Sequence, residues 1–119
     1  MQLLNDVYLV GSGRTGIGIS DYYDCHIYLV DGGDEAALID AGSGVDIEPL
    51  LHNIAAHGIA ADRIRTLILT HAHADHGGGA AALRDRLGCR VLVADAEAAT
   101  VETADPEVSG LNVALPFGI

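Results

Sequence analysis

The chain has no lysine: its six basic residues are all arginine and stand against 17 acidic residues, for a formal net charge of −11. An acidic surface repels phosphate backbones and anionic headgroups, so neither nucleic acid nor a membrane is expected as a partner. Cysteine is scarce too. Cys25 and Cys89 lie far apart and no CxxC pair occurs, so two reduced, partly buried thiols are expected rather than a disulfide. Long apolar runs are missing, and none approaches the roughly 18 residues that span a bilayer. The stretch from Met1 to Asp6 lacks a basic region followed by an apolar one, so no secretory leader is read there. Together these absences predict a soluble, cytoplasmic protein.

What is present is apolar for so short a chain. The 119 residues suffice for one small domain, half of them are hydrophobic, and the mean hydropathy is +0.30. Two readings follow. One is an Ala- and Gly-rich globular domain. The other is part of a larger domain, with apolar faces that further sequence covers.

Strands are predicted at Leu3 to Val10, at His26 to Val30 and at Ala36 to Asp40, the last two joined as a hairpin by the turn Asp31-Gly32-Gly33-Asp34. A helix is predicted over Asp46 to His57. Ile47, Leu50, Leu51, Ile54 and Ala55 share one face, Asp46 is the N-cap, Pro49 falls in the first turn and Gly58 follows the end. Ile64 to Thr70 reads as a buried strand. A helix over Gly79 to Leu87, a strand over Arg90 to Val93 and a helix over Asp95 to Thr103, capped by Asp95, complete the pattern. The later part is βαβ, so its strands should be parallel with helices on a face. Asp105 to Ile119 shows no periodicity.

One segment carries the chemistry: Thr70-His71-Ala72-His73-Ala74-Asp75-His76-Gly77-Gly78-Gly79. It places three histidines and an aspartate within six positions, just after a buried strand, where α/β sheets open their ligand crevice. Imidazole and carboxylate donors suit zinc, and also iron or manganese. Alternation in an extended loop points His71 and His73 toward one ion, and the turn that follows carries Asp75 and His76 toward a second.

This segment resembles the HxHxDH signature of the metallo-β-lactamase superfamily, and Leu38-Ile39-Asp40-Ala41-Gly42 resembles that family's IDxG strand end. The resemblance runs from about Leu3 to Glu102. It implies the N-terminal half of an α/β, αββα sandwich, as a single partial domain over residues 1–119. By that resemblance His71 and His73 are ligands of a first metal, and Asp75 and His76 of a second. Asp75 also handles a proton in catalysis, and Asp40 orients the metal loop through hydrogen bonds; a plain turn role for Asp40 is the alternative. The implied activity is hydrolysis of a thioester, lactone, amide or similar bond in a small-molecule substrate, glyoxalase II-like, with two zinc ions. The rivals are an iron-dependent oxidoreductase of the same fold, persulfide dioxygenase-like, and a non-catalytic metal-binding remnant.

The departure from the family pattern lies downstream. A catalytic zinc usually takes three protein ligands, the family supplies further histidines and an aspartate later in the chain, and no histidine follows His76 here. A missing C-terminal half is therefore expected, with inactivity of this chain alone and self-association through an exposed apolar sheet as consequences.

Other features are read structurally. Gly11-Ser12-Gly13-Arg14-Thr15-Gly16 spells GxGxxG, but no helix pattern opens there, so it is a loop. His26 is a strand histidine with a satisfied hydrogen bond, and His52 and His57 are solvated positions on the first helix. Ser12, Ser20 and Ser43 have no nucleophile-elbow context.

Overall fold

The computed structural model describes residues 1–114. Five strands form one sheet in the order β1-β2-β3-β4-β5: β1 (Val7–Gly11), β2 (Ile27–Asp31), β3 (Ala36–Ile39), β4 (Ile64–Ile68) and β5 (Arg90–Leu92). The first two pairings are antiparallel and the last two parallel, so the hairpin and the βαβ units stand as the sequence implied. The hairpin turns where Gly33 adopts φ +89°. The Asp31 carboxylate accepts the Gly33 N–H at 2.9 Å, and Arg63 reaches across to Asp31.

Helices α1 (Glu48–Ala56) and α3 (Ala80–Leu87) carry the two parallel crossovers. Their apolar stripes supply Leu50, Ile54, Ala80 and Leu83 to a single core with Ile27, Leu29, Leu38 and Leu67 from the strands and Leu69 just after β4. Alternation along each strand sends the intervening residues to the opposite face. There Tyr28 pairs with Ile39, Ile39 with Ile68, and Ile68 with Leu92. None of the four belongs to the core cluster. Ile68 and Leu92 remain 36% and 45% exposed, as does Val30 at 37% in the neighbouring row. The sheet thus has one helix-covered face and an opposite apolar face that is buried at Leu9, which pairs with Tyr28, and open at Ile68 and Leu92.

Several boundaries differ from the sequence expectation. The N-cap of α1 is Ile47, while Asp46 accepts the Glu48 N–H through its side chain at 3.0 Å, one position earlier than a capping aspartate would sit. In α4 (Asp95–Thr103) the cap is Ala94 and Asp95 is already helical, where its charge still favours the helix start. β4 ends at Ile68 rather than Thr70, because Thr70 turns out of the sheet to reach Asp40. The aperiodic tail contains a short helix, α5 (Leu111–Ala114), too brief to show a repeat. Residues 115–119 of that tail lie outside the described residues.

Candidate metal centre

The segment after β4 is held by its backbone. The Thr70 N–H donates to Asp40 Oδ1 at 2.8 Å, the Ala72 N–H to Glu97 Oε2 at 2.9 Å, and the Ala74 N–H to the Ser109 carbonyl at 2.9 Å. Its carbonyls are tied from the other side: Asp75 accepts from the Cys25 N–H at 3.2 Å and His76 from the Ala41 N–H at 2.7 Å. Five contacts to separate parts of the chain satisfy backbone groups that burial would otherwise orphan. A short helix α2 (Ala74–Gly77) begins inside the motif, one turn before the helix start read from the glycines. Asp75 and His76 therefore project from a helical turn, and His71 and His73 from the extended stretch before it. The glycines that follow let this turn press on the strand ends: a Cβ on Gly78 or Gly79 would strike the carbonyl oxygens of Ser43 or Ala41.

The side chains converge. The His71 ring centroid lies 4.5 Å from that of His73 and 4.2 Å from that of His76. Asp75 Oδ2 lies 3.6 Å from His76 Nε2, on a side chain that is 53% exposed. Behind this cluster Asp40 is almost completely buried, at φ +66°. Its Oδ2 lies 2.8 Å from His76 Nδ1, and its two oxygens lie 3.0 and 2.8 Å from Thr70 Oγ1. Thr70 Oγ1 in turn lies 3.0 Å from His71 Nδ1.

An ionised carboxylate only accepts hydrogen bonds. Asp40 therefore calls for the proton on His76 Nδ1, which leaves Nε2 as the bare nitrogen. The His71 ring stands against those of His73 and His76, the latter backed by a buried carboxylate and with an open one alongside; imidazole and carboxylate are donors of the kind that hold zinc, iron or manganese. By chemical type these donors suit a divalent ion.

Among the described residues, the ligand atoms that lie close enough together to share one ion are a different set: the Cys25 sulfur, an Asp40 oxygen and a His76 nitrogen, within 4.8 Å of one another. Burial first, and then the charge of Asp40, push the Cys25 thiol up to about 12. The thiol stays protonated and donates to the His26 carbonyl at 3.4 Å.

The remaining polar residues lie elsewhere. His52 is exposed on α1. His57 is not simply solvated: it is half-buried, 4.8 Å from the Tyr8 ring and 2.9 Å from the Met1 ammonium. His26 is exposed, with Ser12 Oγ at 3.5 Å from its Nδ1. The GxGxxG stretch forms turns with no helix, and the fully buried Ser12 hydroxyl accepts the Ile17 N–H, so no serine nucleophile is presented. Asp24, Thr70 and Glu97 also serve the site. Buried Asp24 binds Ser20 Oγ at 2.6 Å and the Ser43 N–H at 2.8 Å, locking the glycine-rich loop to the strand end after Asp40. Thr70 carried a signal, a hydroxyl directly before the first histidine. Glu97 carried none, being 25 positions from its partner.

A family model described as the metallo-beta-lactamase superfamily matches residues 21–115. The chain belongs to that superfamily. It is 45% identical over 69 residues to a hydroxyacylglutathione hydrolase of Anaeromyxobacter dehalogenans, covering 58% of this chain and 25% of that protein. It is 34% identical over 82 residues to a hydroxyacylglutathione hydrolase of Dechloromonas aromatica, covering 69% and 29%. A ribonuclease Z of a Mycobacterium species is 46% identical over 48 residues, covering 40% and 15%. Among solved structures, a metallo-beta-lactamase of Cronobacter sakazakii superposes with a TM-score of 0.72 at 28% identity, over 84% of this chain and 36% of that one. The chain spans about a quarter of the length of the hydroxyacylglutathione hydrolases it matches. The mixed sheet flanked by helices is the fold of these neighbours over most of the chain. Among the described residues no helix is long and apolar enough to cross a membrane.

Proposed function

We propose that this chain carries the metal-holding half of a hydrolase that acts on a thioester or similar acyl bond of a small-molecule substrate. The observation that carries the reading is the meeting of the His71 ring with those of His73 and His76, at centroid distances of 4.5 and 4.2 Å, with Asp75 beside His76 and Asp40 behind it. His71 and His73 are the ligands of one ion, and Asp75 and His76 of another, with zinc as the preferred metal. Divalent ions held by His71, His73, Asp75 and His76 would supply Lewis acidity there, activating water and polarising a scissile carbonyl.

The protein's own contribution is positioning. Asp40 holds the His76 ring with Nε2 outward. Asp75 is open enough to meet water and to take up or release a proton during acyl transfer. The backbone ties of Ala72, Ala74, Asp75 and His76 keep the four side chains in place, so little ordering is left to the moment of binding. The hydroxyacylglutathione hydrolases among the relatives support a thioester as the bond cleaved. The acidic balance of the chain supports a small molecule over nucleic acid. Free, buried Cys25 and Cys89 suit a reducing compartment such as the cytoplasm.

His71, His73, Asp75 and His76 give two donors per ion, fewer than a catalytic zinc normally takes. The remaining ligands are proposed to come from the C-terminal half that the longer relatives have. The test is zinc stoichiometry together with hydrolysis of a thioester and of nitrocefin by the purified 119-residue chain. Weak zinc binding without turnover is expected. Binding that is unchanged when His71 and His76 are both replaced by alanine would remove the proposal.

A further inference from the structure

We infer that Thr70 is a positioning residue: its hydroxyl relays the buried Asp40 carboxylate to His71, so that one carboxylate sets the proton position on a ligand of each metal. The inference rests on the metal-site reading above and extends it to a residue outside the HxHxDH motif.

The argument is one of donors and acceptors. Thr70 Oγ1 sits between Asp40, with carboxylate oxygens at 2.8 and 3.0 Å, and His71 Nδ1 at 3.0 Å. A hydroxyl has one proton to give. Given to His71, it would leave the Thr70 lone pairs facing a carboxylate that can only accept, and that contact would be repulsive. The hydroxyl proton therefore goes to Asp40. Thr70 Oγ1 then has only lone pairs left for His71, so the proton of that neutral ring must sit on Nδ1. Nε2 is left as the bare nitrogen, free for a metal. Asp40 imposes the same choice on His76 directly, through its contact with Nδ1 at 2.8 Å. Metal-bound histidines commonly have their second ring nitrogen fixed in this way by a carboxylate or carbonyl. Here the first ring is reached through an intervening hydroxyl.

Thr70→Val isolates the hydroxyl. It keeps the side-chain shape, and the Thr70 N–H bond to Asp40 Oδ1 remains to hold the loop. Thr70→Ser restores the hydroxyl and serves as the rescue. The first readout is the tautomer of His71 in the metal-free 119-residue chain, taken from nitrogen-15 NMR of the imidazole with the rings neutral. The second is zinc affinity by chelator competition. The wild type and Thr70→Ser should show His71 protonated on Nδ1. Thr70→Val should show a mixture or the Nε2-protonated form, with zinc affinity lower by about 10- to 100-fold and the His76 tautomer unchanged. A wild-type His71 protonated on Nε2, or a Thr70→Val chain with an unaltered tautomer, overturns the relay even if zinc binds normally. If the tautomer is as expected and zinc does not bind at all, the metal-site reading fails and Thr70 has no ligand to position.

Discussion

Asp40 Oδ2 and His76 Nδ1 lie 2.8 Å apart although 36 residues separate them in sequence. The contact joins the end of β3 to the helical turn after β4. Asp40 reaches it by taking φ +66°, a conformation that aspartate and asparagine tolerate better than most residues. Two substitutions separate the roles of this residue. Asp40→Asn keeps the backbone tolerance and one acceptor but removes the charge. It should leave the fold intact and lower zinc affinity by about 10- to 100-fold. Asp40→Ala also strands the Thr70 N–H and strains the backbone. It should cost a further ~1–3 kcal/mol of folding stability. Chelator competition measures the first effect and urea denaturation the second. Equal zinc affinity in wild type and Asp40→Asn would show that the contact has no bearing on the metal.

The three glycines after His76 are predicted to behave unequally. A Cβ on Gly79 would collide with the Ala41 carbonyl oxygen, a backbone atom that cannot move aside cheaply. At Gly77 the nearest atom to a Cβ is Leu69 Cδ1, at an ordinary 3.8 Å, and the residue is helical. Gly79→Ala should therefore cost ~1–3 kcal/mol through overpacking. Gly77→Ala should be neutral or stabilising by roughly 0.5–1 kcal/mol, since alanine loses less backbone freedom in a helix. Urea midpoints of the two variants check the contrast. Equal losses at both positions would refute it.

These glycines also mark how far the sequence could be read. The hairpin, the parallel strands and the apolar face of α1 were legible because each is written in a local period or turn signal. So was the donor set, since His71 to His76 are neighbours in the chain and Asp40 ends a recognisable strand. The start of α2 was not legible. The two alanines and three glycines suggest flexibility, yet Ala74 to Gly77 form a helical turn because the Ala74 N–H and the Asp75 and His76 carbonyls are held by Ser109, Cys25 and Ala41. Capping was misplaced at Asp46 and Asp95, because a carboxylate near a helix start stabilises it from several neighbouring positions. Asp24 and Glu97 act over distances in sequence that no local pattern encodes.

The open part of the sheet's second face, around Ile68 and Leu92, gives a third prediction. Tyr28, Ile39, Ile68 and Leu92 form one row across four strands, and none contributes to the core. An apolar patch of this kind favours association with another apolar surface. In the complete protein we propose that the C-terminal half covers it; in the 119-residue chain another copy is the available substitute. Sedimentation equilibrium over the micromolar range should show self-association of the wild type. Ile68→Glu should shift the population toward monomer, at a folding cost of no more than ~1 kcal/mol because the side chain is not packed in the core. A wild type that stays monomeric throughout that range would contradict the proposal.

The last prediction concerns pH. His57 closes α1 against β1, with Nε2 2.9 Å from the Met1 ammonium and its ring against Tyr8. Burial first, and then the ammonium charge, hold its pKa below the ordinary value of 6.5. The folded chain thus prefers His57 neutral, while the unfolded chain protonates it as pH falls through about 6.5. Below that value the unfolded state binds the extra proton, so stability falls with pH across this window and is fully present above it. His57→Gln cannot titrate. Its stability relative to wild type should be constant above about pH 6.5 and should improve as the solution is acidified toward the folded-state pKa, where wild type alone loses the contribution. Extending the chain before Met1 moves the ammonium away and should reduce, without abolishing, the difference, because burial is the larger cause. Urea denaturation of the three chains from neutral to mildly acidic pH provides the measurement. A wild type and His57→Gln pair whose stabilities stay parallel over the whole range would show that the histidine is as free to protonate in the fold as outside it.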